Sequence, residues 1–196
     1  GVQIPWRFVP ASRRQRPPEL WIVVLDETDD LASHPAWVDS MVQGNAMLLV
    51  APRGTKPLQM ADPAPHYIRR SLPLIGRTLD SCRLVDIEAA VELAAKSAAV
   101  RQGRVRLKIA GRGSAGILGA YAALNEPLIS GVTVIDPPTT HRDGPILLNV
   151  LRVLDIPEAL GLLAPRELTL RTSEPFAATT DLYRAAGAAS ALRRLP

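Results

Sequence analysis

Residues 105–124 read VRLKIAGRGSAGILGAYAAL, and the fold turns on how this stretch is understood. Val105 to Ala110 has the composition of a buried strand, Gly111 to Gly116 forms a glycine-rich turn, and Ile117 to Leu124 has the alanine and leucine content of a helix. Two chemistries use glycines at such a bend. Gly111, Gly113 and Gly116 spell G-x-G-x-x-G, and Asp136 follows Gly116 by twenty residues at the end of the next apolar run. That spacing fits a dinucleotide site, where the glycines admit a pyrophosphate to a helix N-terminus and the acid holds a ribose hydroxyl. The same small residues also suit a nucleophile elbow, a sharp and strained turn that presents a reactive side chain. Position separates the two: a dinucleotide fingerprint usually follows the first strand, whereas here at least two core strands come earlier. An elbow in mid-domain is expected.

Working outward, Val2 to Val9 reads as an edge strand, because Pro5 would remove a ladder donor from a central one. Leu20 to Leu25 and Met47 to Val50 are apolar runs typical of strands buried on both faces, with a helix predicted between them over His34 to Gln43, closed by Gly44 and Asn45. Pro52 to His66 is proline-rich and reads as a loop, and Pro73 limits Tyr67 to Ile75 to helical pieces. Leu84, Ile87, Val91, Ala94 and Ala98 fall on one stripe of a long helix running from about Cys82 to Gly103. Further strands are predicted at Val132 to Ile135 and Leu168 to Leu170, and a last helix at Thr179 to Ala186. Alternating strands and helices with apolar strands predict an α/β fold with a mostly parallel, doubly wound sheet.

The 196 residues suit a single domain, and a hydrophobic share of 47% is enough to bury one core without disulfides. Cys82 is the only cysteine, and the three histidines at 34, 66 and 141 are scattered, so no metal site is expected. The net charge of +4 comes with one basic cluster, Arg13, Arg14 and Arg16, but aromatics are only 4%, too few for base-stacking platforms; no nucleic-acid partner is expected. Apolar runs fall far short of the ~20 residues that a span needs, so no membrane partner is expected either. The chain opens at Gly1 without an initiator methionine, which fits a processed protein or a piece of a longer one, and leaves the compartment open.

Five phrases carry a resemblance to a family: LIGRTLDSCRLVD (74–86), IAGRGSAGILGAYAAL (109–124), GVTVIDPPTTH (131–141), LGLLAPRELTLRTSEPF (160–176) and TDLYRAAGA (180–188). Together they resemble the acetyl xylan esterase and dienelactone-hydrolase-like branch of the α/β hydrolases, a group that includes bacterial esterases. The resemblance covers most of the chain after residue 20, and its best phrase is Leu162 to Leu168. It implies an α/β-hydrolase sheet and a serine carboxylester hydrolase. The elbow pattern of these esterases is G-x-S-x-G-G. Laid on Gly111 to Gly116, it puts Gly113 in the nucleophile slot and Ser114 at the next position, whose N–H helps to form the oxyanion hole, with Ala115 and Gly116 completing the turn. The other register makes Ser114 the nucleophile and sets Arg112 where crowding favours a small side chain; the first register is preferred on that steric ground. The acid slot falls on Glu174. A catalytic base should follow it, but the last histidine is His141, so a triad of Ser114 and Glu174 needs His141 or His66 to reach Ser114 in space, or a histidine beyond this sequence; of these, His141 is the candidate.

The remaining candidates have plainer readings. His34 precedes Pro35 as a helix-start residue, His66 sits in the proline-rich loop, and Asp136 caps the turn at Pro137. Arg53 and Gly54 resemble the RG turn of the esterases, Arg83 and Asp86 are spaced to interact on one helix face, and Cys82 suits a small buried hydrophobe. The resulting expectation is a hydrolase-fold domain with impaired catalysis, a pseudoenzyme that binds or scaffolds, with a carbohydrate ester or another small ester as ligand and no cofactor. An active carboxylester hydrolase using Ser114 is the alternative, and a dinucleotide enzyme using Gly111, Gly113 and Gly116 is the third reading.

Overall fold

The computed structural model describes residues 3–12, 18–57 and 64–196, with only the backbone of Ala64 and Pro65. The cluster Arg13, Arg14 and Arg16 and Val2, the first residue of the predicted edge strand, lie outside them. Seven strands form one sheet: β1 (Trp6–Val9), β2 (Glu19–Val24), β3 (Ala46–Val50), β4 (Arg106–Arg112), β5 (Ile129–Ile135), β6 (Glu167–Arg171) and β7 (Leu192–Leu195). Their order is β1-β3-β2-β4-β5-β6-β7. Only β1 is antiparallel, pairing Trp6 with Val50 and Val9 with Met47 at the edge. The others run parallel.

The apolar runs are explained by burial on two faces. Along β2, Ile22 and Val24 enter one core with Ile87 and Val91, while Trp21 and Val23 enter a second core on the opposite face. That alternation follows from the two-residue period of a strand. The helix α1 (Ala36–Val42) covers the second core with Val38 and Val42. On the first face lie α3 (Leu79–Ala95) and α5 (Gly113–Asn125), preceded by α2 (Ala64–Ser71) and separated by α4 (Ala98–Arg101). The helices α6 (Ile156–Gly161) and α7 (Ala177–Ala185) add Ile156, Leu160 and Tyr183 to the same core.

Three readings are corrected. The long helix predicted from Cys82 to Gly103 starts earlier, at a reciprocal Thr78–Ser81 cap, and breaks after Ala95, where Ser97 caps α4 through Val100 N–H. Ala98 is therefore exposed. His66 stands in α2 and not in a loop, with its side chain in solvent. The glycine-rich turn has almost no length: β4 continues through Arg112 and α5 begins at Gly113.

The order of strands positions the site. From β2 the chain leaves through α1 to β3 on one side, and from β4 through α5 to β5 on the other. The loops after β2 and β4 thus diverge, and a crevice opens at the carboxyl ends of these two neighbours.

Candidate functional site

A cavity of about 700 Å³ fills that crevice. Leu25 to Thr28 enter it after β2, Arg112 to Ala115 after β4, and Asp80 and Arg83 from α3. Apolar walls come from Val24, Ile87 and Leu118.

Two glycines make the bend that carries Gly113 and Ser114 into it. A Cβ on Gly111 would lie 2.7 Å from Gly116 N, and one on Gly116 would lie 2.5 Å from Gly111 O and 2.6 Å from Val134 Cγ1. Strand and helix therefore meet backbone to backbone, with no room for a methyl group. Gly113 is different: its φ is +53°, yet nothing lies within 4 Å of the position a Cβ would take. At the junction of β4 and α5 it is the residue in the left-handed region, the first of the helix. Ser114 follows as a half-buried residue that lines the cavity, and among the described residues its hydroxyl meets no hydrogen-bond partner.

The charges are paired across the crevice. Arg112 donates to Asp26 through Nε at 3.1 Å and through a terminal nitrogen at 2.9 Å, and to Thr28 Oγ1 at 2.9 Å. Asp29 is almost buried; its carboxylate accepts the Asp26 N–H at 3.0 Å and lies 3.7 Å from the Arg112 guanidinium. Burial pushes Asp26 up, but hydrogen bonds from Thr28 and Arg112 outweigh it and hold this carboxyl below its ordinary range. Burial and the neighbouring Asp26 charge push Asp29 the other way, above its ordinary range. Arg83 bridges Glu27 at 2.5 Å and Asp80 at 3.1 Å, and donates to the Arg53 carbonyl.

The predicted site residues are not gathered at one place. Ser114 and Gly113 line the cavity together with Asp136, whereas Glu174 and His141 do not. Glu174 is exposed on the turn after β6, where its N–H donates to Thr172 Oγ1. His141 is buried with both ring nitrogens occupied: Nδ1 is 2.8 Å from the Pro145 carbonyl and Nε2 is 2.9 Å from the Tyr121 hydroxyl. A carbonyl can only accept, so Nδ1 carries a proton, and in a neutral ring Nε2 is then the acceptor for the Tyr121 hydroxyl. Burial, with the Asp155 charge, pushes Tyr121 up to about 12, which keeps it a donor.

Arg83 and Asp86 do not pair with each other, as their spacing suggests; Asp86 takes the Arg53 guanidinium at 2.5 and 2.8 Å and the Arg53 N–H at 2.9 Å, locking the turn after β3 onto α3. His34 contacts Asp39 on the exposed start of α1, Asp136 has a φ of +46° at its strand end, and Cys82 is a buried free thiol. Sequence reading missed Asp26 and Asp29. The signal was the acidic run Asp26-Glu27-Thr28-Asp29-Asp30 directly after a buried strand.

Solved hydrolase and esterase structures superpose on nearly the whole of this chain. The fold is that of the α/β hydrolases. A Bacteroides fragilis protein assigned as an acetyl xylan esterase superposes with a TM-score of 0.73 at 9% identity, covering 96% of this chain and 61% of that one. Est1E of Butyrivibrio proteoclasticus, solved with ferulic acid bound, gives 0.62 at 14% identity over 98% of this chain and 84% of its own. The acylaminoacyl peptidase of Pyrococcus horikoshii gives 0.60 at 12% identity over 98% of this chain and 34% of its own. The chain thus spans about three fifths of the first protein and one third of the peptidase. No protein-family model and no curated protein matches the sequence.

Proposed function

We propose that this domain keeps the α/β-hydrolase fold without its acyl-transfer chemistry and uses the crevice at β2 and β4 to bind a small polar ligand, such as a carbohydrate ester. The observation that carries this reading is the left-handed φ of Gly113. A nucleophile elbow holds its reactive residue at the one strained position between strand and helix. Here that position has no side chain. Ser114, one residue further on, takes the place whose N–H would serve an oxyanion.

The surroundings support the same reading. An oxyanion hole also draws a donor from the loop after the strand next to the elbow strand. In that loop the Asp26 N–H is already bonded to the Asp29 carboxylate. A tetrahedral oxyanion there would find this donor already taken, and so would lack one of the N–H groups that such a hole supplies. Arg112 and Arg83 are already paired with Asp26, Glu27 and Asp80, so neither guanidinium is free to meet a pyrophosphate at the start of α5, which disfavours the dinucleotide reading.

Binding suits the lining better than catalysis does. Paired guanidinium and carboxylate groups over an apolar floor offer donors and acceptors to hydroxyls and ester carbonyls. The unpartnered Ser114 hydroxyl favours a second reading, an active carboxylester hydrolase. Hydrolysis of p-nitrophenyl acetate separates the two. The expected rate is that of buffer alone, unchanged by Ser114→Ala, since a serine with no base loses several orders of magnitude of activity. Turnover well above buffer, abolished by Ser114→Ala and by a serine-directed phosphonate, would establish the second reading instead.

A further inference from the structure

The mouth of the cavity is formed by two chain segments, residues 64–77 and 141–153. They meet there: Arg69 and Pro73 of the first line the cavity with Gly144, Ile146 and Leu148 of the second. Two hydrogen bonds tie the second segment to the start of α3, which directly follows the first, from Thr78 Oγ1 to the Ile146 carbonyl at 2.5 Å and from Ile146 N–H to Asp80 Oδ2 at 2.8 Å.

Both segments present apolar side chains to solvent. In the first, Leu74 is 86% exposed, Tyr67 72% and Ile75 70%; in the second, Val153 is 83% exposed, beside Ile146, Leu148 and Leu151. Scattered single residues of this kind are ordinary, but seven of the fifteen large exposed hydrophobics among the described residues fall in these two short segments, both of which contribute to the cavity wall. The charges there are just as one-sided. Arg69, Arg70 and Arg77 lie in a first segment that has no acid, and Arg142 and Arg152 in a second whose only acid is Asp143; all five arginines are exposed.

We infer that this rim docks the domain onto an anionic lipid bilayer, with Leu74, Ile75 and Val153 entering the headgroup boundary and the arginines held by acidic headgroups. Such a surface rewards exposed apolar tips and positive charge together, which is the combination found here. A second copy of the chain fits less well, because a two-fold dimer through this face would set five arginines against five. The expectation of no membrane partner rested on the lack of a spanning run, and no helix among the described residues is long and apolar enough to cross a membrane. Lying on a bilayer needs no such helix. Docking would bring the opening of the cavity to the interface, whether or not Ser114 is reactive.

The test is co-sedimentation of the purified chain with vesicles of phosphatidylcholine alone and with an equal mixture of phosphatidylcholine and phosphatidylserine. Binding is expected to the mixture only and to fall as salt is raised. Arg69→Gln with Arg70→Gln should weaken it about 25-fold, near fivefold for each charge. Leu74→Ser with Ile75→Ser should weaken it at least tenfold. Unfolding midpoints of both double variants should match the parent, which separates lost docking from lost folding. The proposal fails if the parent does not sediment with the mixture, if it binds both vesicles equally, or if both variants bind like the parent. It also fails if sedimentation velocity shows a dimer that Leu74→Ser dissolves and vesicles do not compete with.

Discussion

At the floor of the cavity, Gly111 and Gly116 press backbone on backbone, and Arg112 and Arg83 each hold two or more acceptors. In the two segments that flank it, Leu74, Ile75 and Val153 stand in water, and the arginines of the same segments are exposed. Folding consumes the interactions of the first region and leaves those of the second unspent. Contacts already made inside the fold fix shape and contribute stability, whereas groups left exposed contribute only when something covers them. The floor should therefore answer to mutation through stability, and the mouth through binding.

Gly116→Ala gives the largest expected effect. Its Cβ would meet the Gly111 carbonyl oxygen and Val134 at distances that backbone cannot absorb, so the loss should reach about 3 kcal/mol or more, read as a fall in the urea midpoint. Leu74→Ser with Ile75→Ser should stay within about 0.5 kcal/mol of the parent in the same titration. Equal shifts for the two would erase the contrast between floor and mouth. Gly113→Ala sharpens it from inside the elbow: the space is open, so the only cost is a left-handed residue with a Cβ, about 1–2 kcal/mol. A loss as large as that of Gly116→Ala would mean that Gly113 is packed and not merely strained, and would weaken its assignment to the vacant nucleophile position.

The sheet was legible because its strands are buried on both faces. Ile22, Val23 and Val24 are fully buried, and no amphipathic alternation was needed to find them. The elbow was legible for a related reason, since a bend so tight admits only glycine at Gly111 and Gly116. Polar elements were harder. Leu192–Leu195 carries two arginines in four residues and gives no strand signal, yet it pairs with β6 at the sheet edge. The helix α6 announces itself by Asp155 and Glu158, a reciprocal cap that could have been read from the sequence and was not. The pairing of charges was out of reach. Arg83 and Asp86 are spaced to meet, but each has a partner on a loop that tertiary packing brings alongside α3. Arg112 finds Asp26 from 86 residues away, which no local pattern encodes.

The finest distinction at the floor is between Asp26 and Asp29, and it predicts opposite responses to pH. Asp26 has a lowered pKa, so its contribution is present above the unfolded value and lost as pH falls through the folded one. For Asp29 the sign is reversed. Burial and the Asp26 charge raise its pKa above the ordinary 3.8, so its contribution is present below the unfolded value and lost as pH rises through the folded one. At neutral pH the ionised Asp29 is thus a small net cost. Asn at this position keeps an oxygen to accept the Asp26 N–H while removing the charge. Asp29→Asn should therefore raise stability at pH 7 by less than about 1 kcal/mol, with the gain vanishing in acid, where the parent carboxyl is neutral as well. Urea titrations of parent and variant across the acid range would show it. A variant less stable than the parent at pH 7 would mean that the attraction of Arg112, 3.7 Å away, outweighs the burial of the charge, and that Asp29 belongs with Asp26 among the groups holding the floor closed.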